Sequence, residues 1–226
     1  MIILAIDTAS TLCAACVYDT ETGHELGRTV LDLGKGHAEH LMSVVERALA
    51  DAKLAFADLG AIGVSVGPGS FTGVRVGVSA ARGFALALGI PSIGVTTLEA
   101  VAATARDKFG AVIVMSAFEA GRDEIHAAIY DAAGMPINEP AIITLHAAVE
   151  WSEAFEPVLA GSAANRIVAA ASRDVRAGPA ADTADIAVYA RLAAAKGGAA
   201  QKPRPLYLRQ ADAKPQAGFV LPRREA

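Results

Sequence analysis

Short apolar runs separated by polar turns dominate the start of the chain. Residues 2–6 are apolar up to Asp7, residues 13–18 are apolar again, and residues 24–31 form a third, more polar run. Runs of this length bounded by turn-forming residues read as strands. Three in succession on short turns imply an antiparallel meander. After Gly34-Lys35-Gly36 the period changes. Leu41, Val44, Val45, Ala48, Leu49 and Ala52 recur at helical spacing, which predicts a helix over 37–52 with one apolar stripe. Residues 61–66 read as a buried strand, 74–88 as a helix, 91–95 as a strand and 96–108 as a helix. Thr96 and Glu99 have capping-box spacing at the start of that last helix.

The second half starts in the same way. Strands are predicted at 111–117, 124–130 and 141–145, a helix at 146–155, a strand at 158–160, and helices at 163–172 and 183–196. Two successive units of three strands followed by mixed α and β segments point to a duplicated α/β architecture. The expected divisions are 1–108, 109–202 and a Pro-rich basic tail from 203 to 226. Within that tail, residues 205–209 are the part expected to dock on the first half.

Composition narrows the class. The chain has 226 residues, 53% apolar and 19% charged, with 20 Lys plus Arg against 24 Asp plus Glu. That balance predicts a packed globular chain. The mean hydropathy of +0.38 owes much to Ala, and no apolar stretch is long enough to cross a bilayer without a charge or a Gly-Pro break. Met1-Ile2-Ile3-Leu4 has no basic segment before it, so no signal peptide is expected and a cytoplasmic location is. A pI near 5.7 argues against nucleic-acid binding by bulk charge, since only the tail is basic. Cys13 and Cys16 are three apart in an extended segment. They therefore face opposite sides and are expected to be core thiols, with neither a bridge nor a shared metal.

Candidate chemistry is sparse. Asp7-Thr8-Ala9-Ser10 joins the first two strands, and a carboxylate followed by hydroxyls can hold a metal-bound phosphate in such a turn. Ala9 stands where close approach to an oxyanion favours Gly. The competing reading is a turn whose side chains satisfy their own backbone. Residues 67–73, G-P-G-S-F-T-G, lead from a strand into a helix, where free N–H groups could rest an anion. Their spacing matches neither G-x-x-x-x-G-K-[ST] nor G-x-G-x-x-G, so a tight connection is the plainer reading. Gly161 ends a strand and either passes close to a nucleotide base or simply turns.

The helix after the glycine segment carries small residues at Gly73, Gly77, Ala80, Ala81 and Gly83. It is apolar nearly all round through Val74, Val76, Val78, Phe84 and Leu86. Interior glycines cost on the order of 1 kcal/mol each relative to Ala, which makes sense where another backbone comes close. A helix apolar on every side must be covered on every side. The cover is either the chain's own sheet and preceding helix or another subunit, and the pattern leaves both open. His37 and His40 have no evident third ligand, so a metal set is not expected there. No G-x-S-x-G or paired-Cys arrangement is present.

Several segments together resemble the TsaB (YeaZ) family: residues 3–9 (I-L-A-I-D-T-A), 37–41 (H-A-E-H-L), 64–75 (V-S-V-G-P-G-S-F-T-G-V-R), Gly77, 89–91 (G-I-P), 96–100 (T-T-L-E-A) and 205–209 (P-L-Y-L-R) with Asp212-Ala213. The likeness is dense over 1–103 and thin over 109–198. It implies a duplicated actin-, Hsp70- and sugar-kinase-like (ASKHA, ribonuclease H-like) α/β fold of two βββαβα halves. It also implies a non-catalytic scaffold in the synthesis of N6-threonylcarbamoyladenosine at position 37 of tRNAs reading codons that begin with A. The implied partners are the catalytic paralogue TsaD, the ATPase TsaE, tRNA through the complex, and a second copy when the chain is alone.

The same resemblance implies an interface on the first two helices, at His37, His40, Leu41, Val44, Val45, Ser70, Phe71, Val74, Gly77, Val78 and Ala81. No metal or cofactor of its own is expected, with ATP and Mg only at the complex interface. The histidine pair that holds the metal in TsaD follows the glycine turn, where this chain has no His. Under the alternative reading, a kinase or ATPase of the same superfamily, Asp7, Thr8, Ser10 and Gly161 would form the nucleotide or phosphate turn. A metallopeptidase using His37 and His40 is a third reading. One departure stands out. Where the family's second half opens with a D-A-R-R-G-E-[VI]-Y-like stretch, residues 119–126 read E-A-G-R-D-E-I-H.

Overall fold

The apolar run Ile2–Asp7 forms β1, pairing antiparallel with β2 (Leu12–Asp19), which pairs antiparallel with β3 (His24–Asp32). In this computed structural model, which describes residues 1–197 and 202–208, β4 (Ala61–Ser65) and β5 (Ser92–Val95) then add in parallel beyond β1. The resulting strand order is β3-β2-β1-β4-β5. Parallel neighbours need crossovers, and α1 (His37–Ala52) and α2 (Phe71–Leu88) supply them. The second sheet repeats the scheme. β6 (Val114–Gly121), β7 (Glu124–Tyr130) and β8 (Ala141–Thr144) form a meander, and β9 (Val158–Ala160) lies parallel to β6, in the order β8-β7-β6-β9. The duplicated α/β architecture read from the sequence is therefore present.

The helices form layers around the two sheets. α1 packs on β2 and β3, and α2 on β4 and β1. α4 (Leu145–Phe155) and α5 (Ala164–Ala170) cover the second sheet. Between the sheets lie α3 (Thr97–Phe109), packed on β6, β7 and β9, and α6 (Ile186–Lys196), packed on β1, β2, β4 and β5. A late helix thus covers the early sheet, and an early helix the late one. One apolar core runs through this middle layer, joining Ile3 and Val95 to Val114 and Val158. Cys16 belongs to it, whereas Cys13 faces the α1/α2 side, as the strand period requires. Both thiols are free and buried.

Local chemistry sets the element ends. The Ser70 hydroxyl accepts from Gly73 N at 3.2 Å, so α2 begins at Phe71, earlier than its apolar pattern predicts. The Thr96 hydroxyl accepts from Glu99 N at 3.0 Å as a helix cap, while the Glu99 carboxylate reaches across to Lys196 Nζ at 2.7 Å. Strand β6 begins at Val114 and runs on to Gly121, rather than covering 111–117. The helix predicted from 183 begins at Ile186, because Asp185 caps it and is also held by Arg28 at 2.6 Å. Among the described residues, no helix is long and apolar enough to cross a membrane.

Candidate functional site

The β1–β2 turn is closed by its own chain. Asp7, 1% exposed, accepts from Ala9 N at 2.9 Å through Oδ1 and from the Thr183 hydroxyl at 2.6 Å through Oδ2. The Thr183 proton is committed to Asp7. The Tyr189 hydroxyl, 2.7 Å from Thr183 Oγ1, must therefore be the donor in that pair. Burial pushes the Asp7 carboxyl up from its ordinary value, while Ser65, Thr183, the Ala9 amide and nearby His37 pull it back. Burial also holds Tyr189 far above the usual phenol range, with the Asp7 charge adding to it.

The glycine segment packs onto this turn. The Thr8 hydroxyl donates to Gly73 O at 2.7 Å, and Ser70 N donates to Ala9 O at 2.7 Å. A Cβ at Gly69 would strike Ala9 O, one at Gly73 would strike Thr8 O, and one at Gly77 would lie 2.5 Å from Thr8 Oγ1. These glycines therefore admit the chain's own turn rather than a phosphate or a partner backbone. Ser10 Oγ accepts from Leu12 N at 3.3 Å. Gly161, at φ +101°, abuts Ala117 O and donates its N–H to Pro179 O at 2.7 Å.

A cleft of about 380 Å³ opens beside Ala9, Ser10 and Ser70, facing Phe118, Glu119, His126, Ser162 and Asp182 across from the second sheet. Its lining has hydroxyls and two carboxylates but no Lys or Arg. With Asp7 bonded to Thr183 and no Lys or Arg in the lining, these side chains offer a polyphosphate no ammonium or guanidinium partner.

The predicted interface residues divide by burial. Leu41, Val44, Val45, Val74, Val78 and Ala81 belong to the core between α1/α2 and the first sheet, and Gly77 and His37 are buried with them. Their stripe is the one that the chain's own sheet covers, so these side chains cannot meet a partner. His40, Ser70 and Phe71 remain at the surface. His37 is buried and His40 exposed, and no group of three or more His, Cys, Asp or Glu among the described residues could hold a metal ion. The outer face instead presents Met42 (46% exposed), Phe71 (59%) and Leu86 (85%), with Arg75 and Arg82. Gly83 differs from its fellow helical glycines, because nothing lies within 4 Å of where its Cβ would be.

The described part of the tail docks on this helix. Leu206 N donates to Val66 O at 2.8 Å, and Tyr207 OH accepts from Arg75 Nε at 2.7 Å. Arg209, Asp212 and Ala213 lie outside the described residues.

A family model described as "TsaD: tRNA N6-adenosine threonylcarbamoyltransferase" matches residues 32–164, more than half of the chain. The tRNA threonylcarbamoyladenosine biosynthesis protein TsaB of Escherichia coli K12 is 35% identical over 130 residues, 58% of this chain and 55% of that protein. The TsaB of Bacillus subtilis 168 gives the same identity and coverage. The structure of YeaZ from Pseudomonas aeruginosa, 27% identical, superposes with a TM-score of 0.77 over 92% of this chain and 99% of that one. The chain belongs to the TsaB (YeaZ) family. Its match spans about half the length of those curated relatives.

Within this TsaB-family chain, the altered stretch at 119–126 is a β6–β7 hairpin whose tip, Gly121, Arg122 and Asp123, has positive φ throughout. Glu119 and Asp123 pair with Arg166 of α5 at 3.3 and 3.7 Å, which anchors the hairpin beside the cleft. The interface implied by the resemblance does not include Met42, Arg75, Leu86 or Tyr207, all of which are exposed. The signal for Leu86 was present, because α2 is apolar on more sides than one sheet can cover.

Proposed function

We propose that this chain is a non-catalytic subunit for N6-threonylcarbamoyladenosine formation in tRNA, acting as a scaffold for a TsaD-type catalytic chain. Its family membership supports the pathway. The observation that carries the scaffold reading is a contrast on one helix. α2 seals the would-be phosphate turn with its inner face, while its outer face leaves Phe71 and Leu86 exposed, and Met42 of α1 is exposed as well. Large apolar side chains left in water on the outer face of a helix are what a protein partner would cover. TsaE would join the pair, tRNA would reach it through the complex, and in the absence of TsaD a second copy would cover the same face. A kinase reading is not favoured by the capped Asp7 and the cation-free cleft. Co-expression with the TsaD homologue of the same organism, followed by size-exclusion chromatography and a tRNA modification assay, tests the proposal. A co-eluting complex whose activity requires this chain is expected. Modification at full rate without it, or Mg-ATP hydrolysis by this chain that Asp7→Asn abolishes, would overturn the proposal.

A further inference from the structure

Gly73 and Gly77 of α2 make room for Thr8, but Gly83 of the same helix makes room for no group among the described residues. Glycine inside a helix costs on the order of 1 kcal/mol relative to Ala. A residue that breaks a local rule with no compensating contact is expected where function requires it. Gly83 lines a groove of about 600 Å³ together with Arg82, Ile90, Pro91, Ser92 and Lys202. The groove lies between the C-terminal half of α2 and the start of β5, and no residue of α1 lines it. Leu86 does line it, so the groove adjoins the face assigned above to a protein partner.

Charge narrows the occupant. The lining holds two cations and no carboxylate, and α2 itself contains no Asp or Glu. Residues 202–208 form a strap across the rim of the first sheet, with Pro203 buried against Gly94 and Leu206 N bonded to Val66 O. Burying Pro203 turns its two neighbours, Lys202 and Arg204, outward, and both are exposed. Residues two apart in extended backbone share a side, about 6–7 Å from one another. Among the described residues, none of Arg82, Lys202 and Arg204 is in an ion pair. The chain as a whole carries a net charge of -4, so these cations are a local exception to it. A row of unpaired cations matches a polyanion with repeating charges, and a bare glycine lets its backbone come close to the helix.

We propose that the groove at Arg82, Gly83 and Lys202, extended by Arg204, holds a stretch of the tRNA phosphodiester backbone without reading its sequence. The inference rests on the scaffold reading above, since it names where this chain touches the tRNA that reaches the complex. Fluorescence anisotropy of labelled tRNA with the complex of this chain and the TsaD homologue of the same organism, over a series of salt concentrations, tests it. The triple variant Arg82→Gln, Lys202→Gln, Arg204→Gln should weaken binding about tenfold or more, to a similar degree for tRNAs of different sequence. Its salt slope should fall by roughly one for each lost contact. Gly83→Leu should weaken binding too, while its thermal midpoint does not drop, because Leu is the better helix former and meets open space there. Both variants should co-elute with TsaD as the wild type does. Variants that co-elute and bind tRNA with wild-type affinity and slope overturn the proposal and leave the scaffold reading standing. Variants that no longer co-elute assign the groove to a protein contact, which also overturns it. If the wild type itself does not join TsaD, the scaffold reading fails, and the same titration of the chain alone decides the groove. Salt-dependent binding that the triple variant loses then supports it, and absence of binding overturns it.

Discussion

Thr183 donates a hydrogen bond to Asp7 across 2.6 Å, joining residues 176 positions apart. The bond engages one carboxylate oxygen of Asp7 and ties the segment leading into α6 to the end of β1. Removing the hydroxyl leaves two buried groups short of a partner, the Asp7 carboxylate and the Tyr189 phenol. Thr183→Val should therefore destabilise the protein by about 1–3 kcal/mol, the usual cost of orphaned buried polar groups. Urea denaturation measures this, and an unchanged midpoint would show that the bond contributes nothing.

Asp7 also makes a pH prediction with a definite sign. Burial raises its carboxyl above the ordinary value of 3.8. The folded state therefore holds this proton more tightly than the unfolded state does. The associated stability is fully present below the unfolded value and is lost as pH rises through the folded one. Compared with Asp7→Asn, the wild type should lose relative stability as pH is raised from below 3.8. A constant difference across that range would contradict the assignment.

The two kinds of glycine in α2 should respond oppositely. Gly77 has Thr8 Oγ1 2.5 Å from where a Cβ would be, so Gly77→Leu should cost about 1–3 kcal/mol as an overpacked site. Gly83 faces open space in a helix interior, and Gly83→Ala should stabilise by about 0.5–1 kcal/mol. Thermal unfolding of the two variants checks both signs.

Leu86 is 85% exposed and covers nothing within the chain. Leu86→Glu should leave stability within about 0.5 kcal/mol of wild type. It should nevertheless reduce co-elution with a TsaD-type chain. Unchanged co-elution would remove Leu86 from the contact.

The thiols should be inert in the folded protein. Burial pushes Cys13 up to about 11 and Cys16 higher still, so little thiolate exists near neutral pH. A disulfide reagent at pH 8 should modify neither until denaturant is added. Rapid labelling of the native protein would show that the strand opens.

The strands and helices were legible because their signals are local. Alternation of period 2 placed Cys13 and Cys16 on opposite faces, and the 3.6 period placed the inward stripe of α1. The duplication followed from the order of elements. What periodicity cannot tell is which surface covers a helix that is apolar all round. α2 illustrates this, since its Val74 and Val78, residues of the interface that the resemblance implies, are buried against the chain's own first sheet, as are Leu41 and Val44 of α1. Gly77 was explained by an incoming backbone, and the group that arrives is Thr8 of the same chain.

From its order of residues alone, this protein is determined to be a duplicated α/β chain of a recognisable family, because hydrogen-bonded elements and their apolar faces depend on near neighbours. Whether Asp7 faces a ligand or Thr183, and which side of α2 remains in water, depends on groups far apart in the chain that meet only when both sheets and the C-terminal strap have closed around one another. Those contacts are long-range packing, and only the tertiary structure decides them.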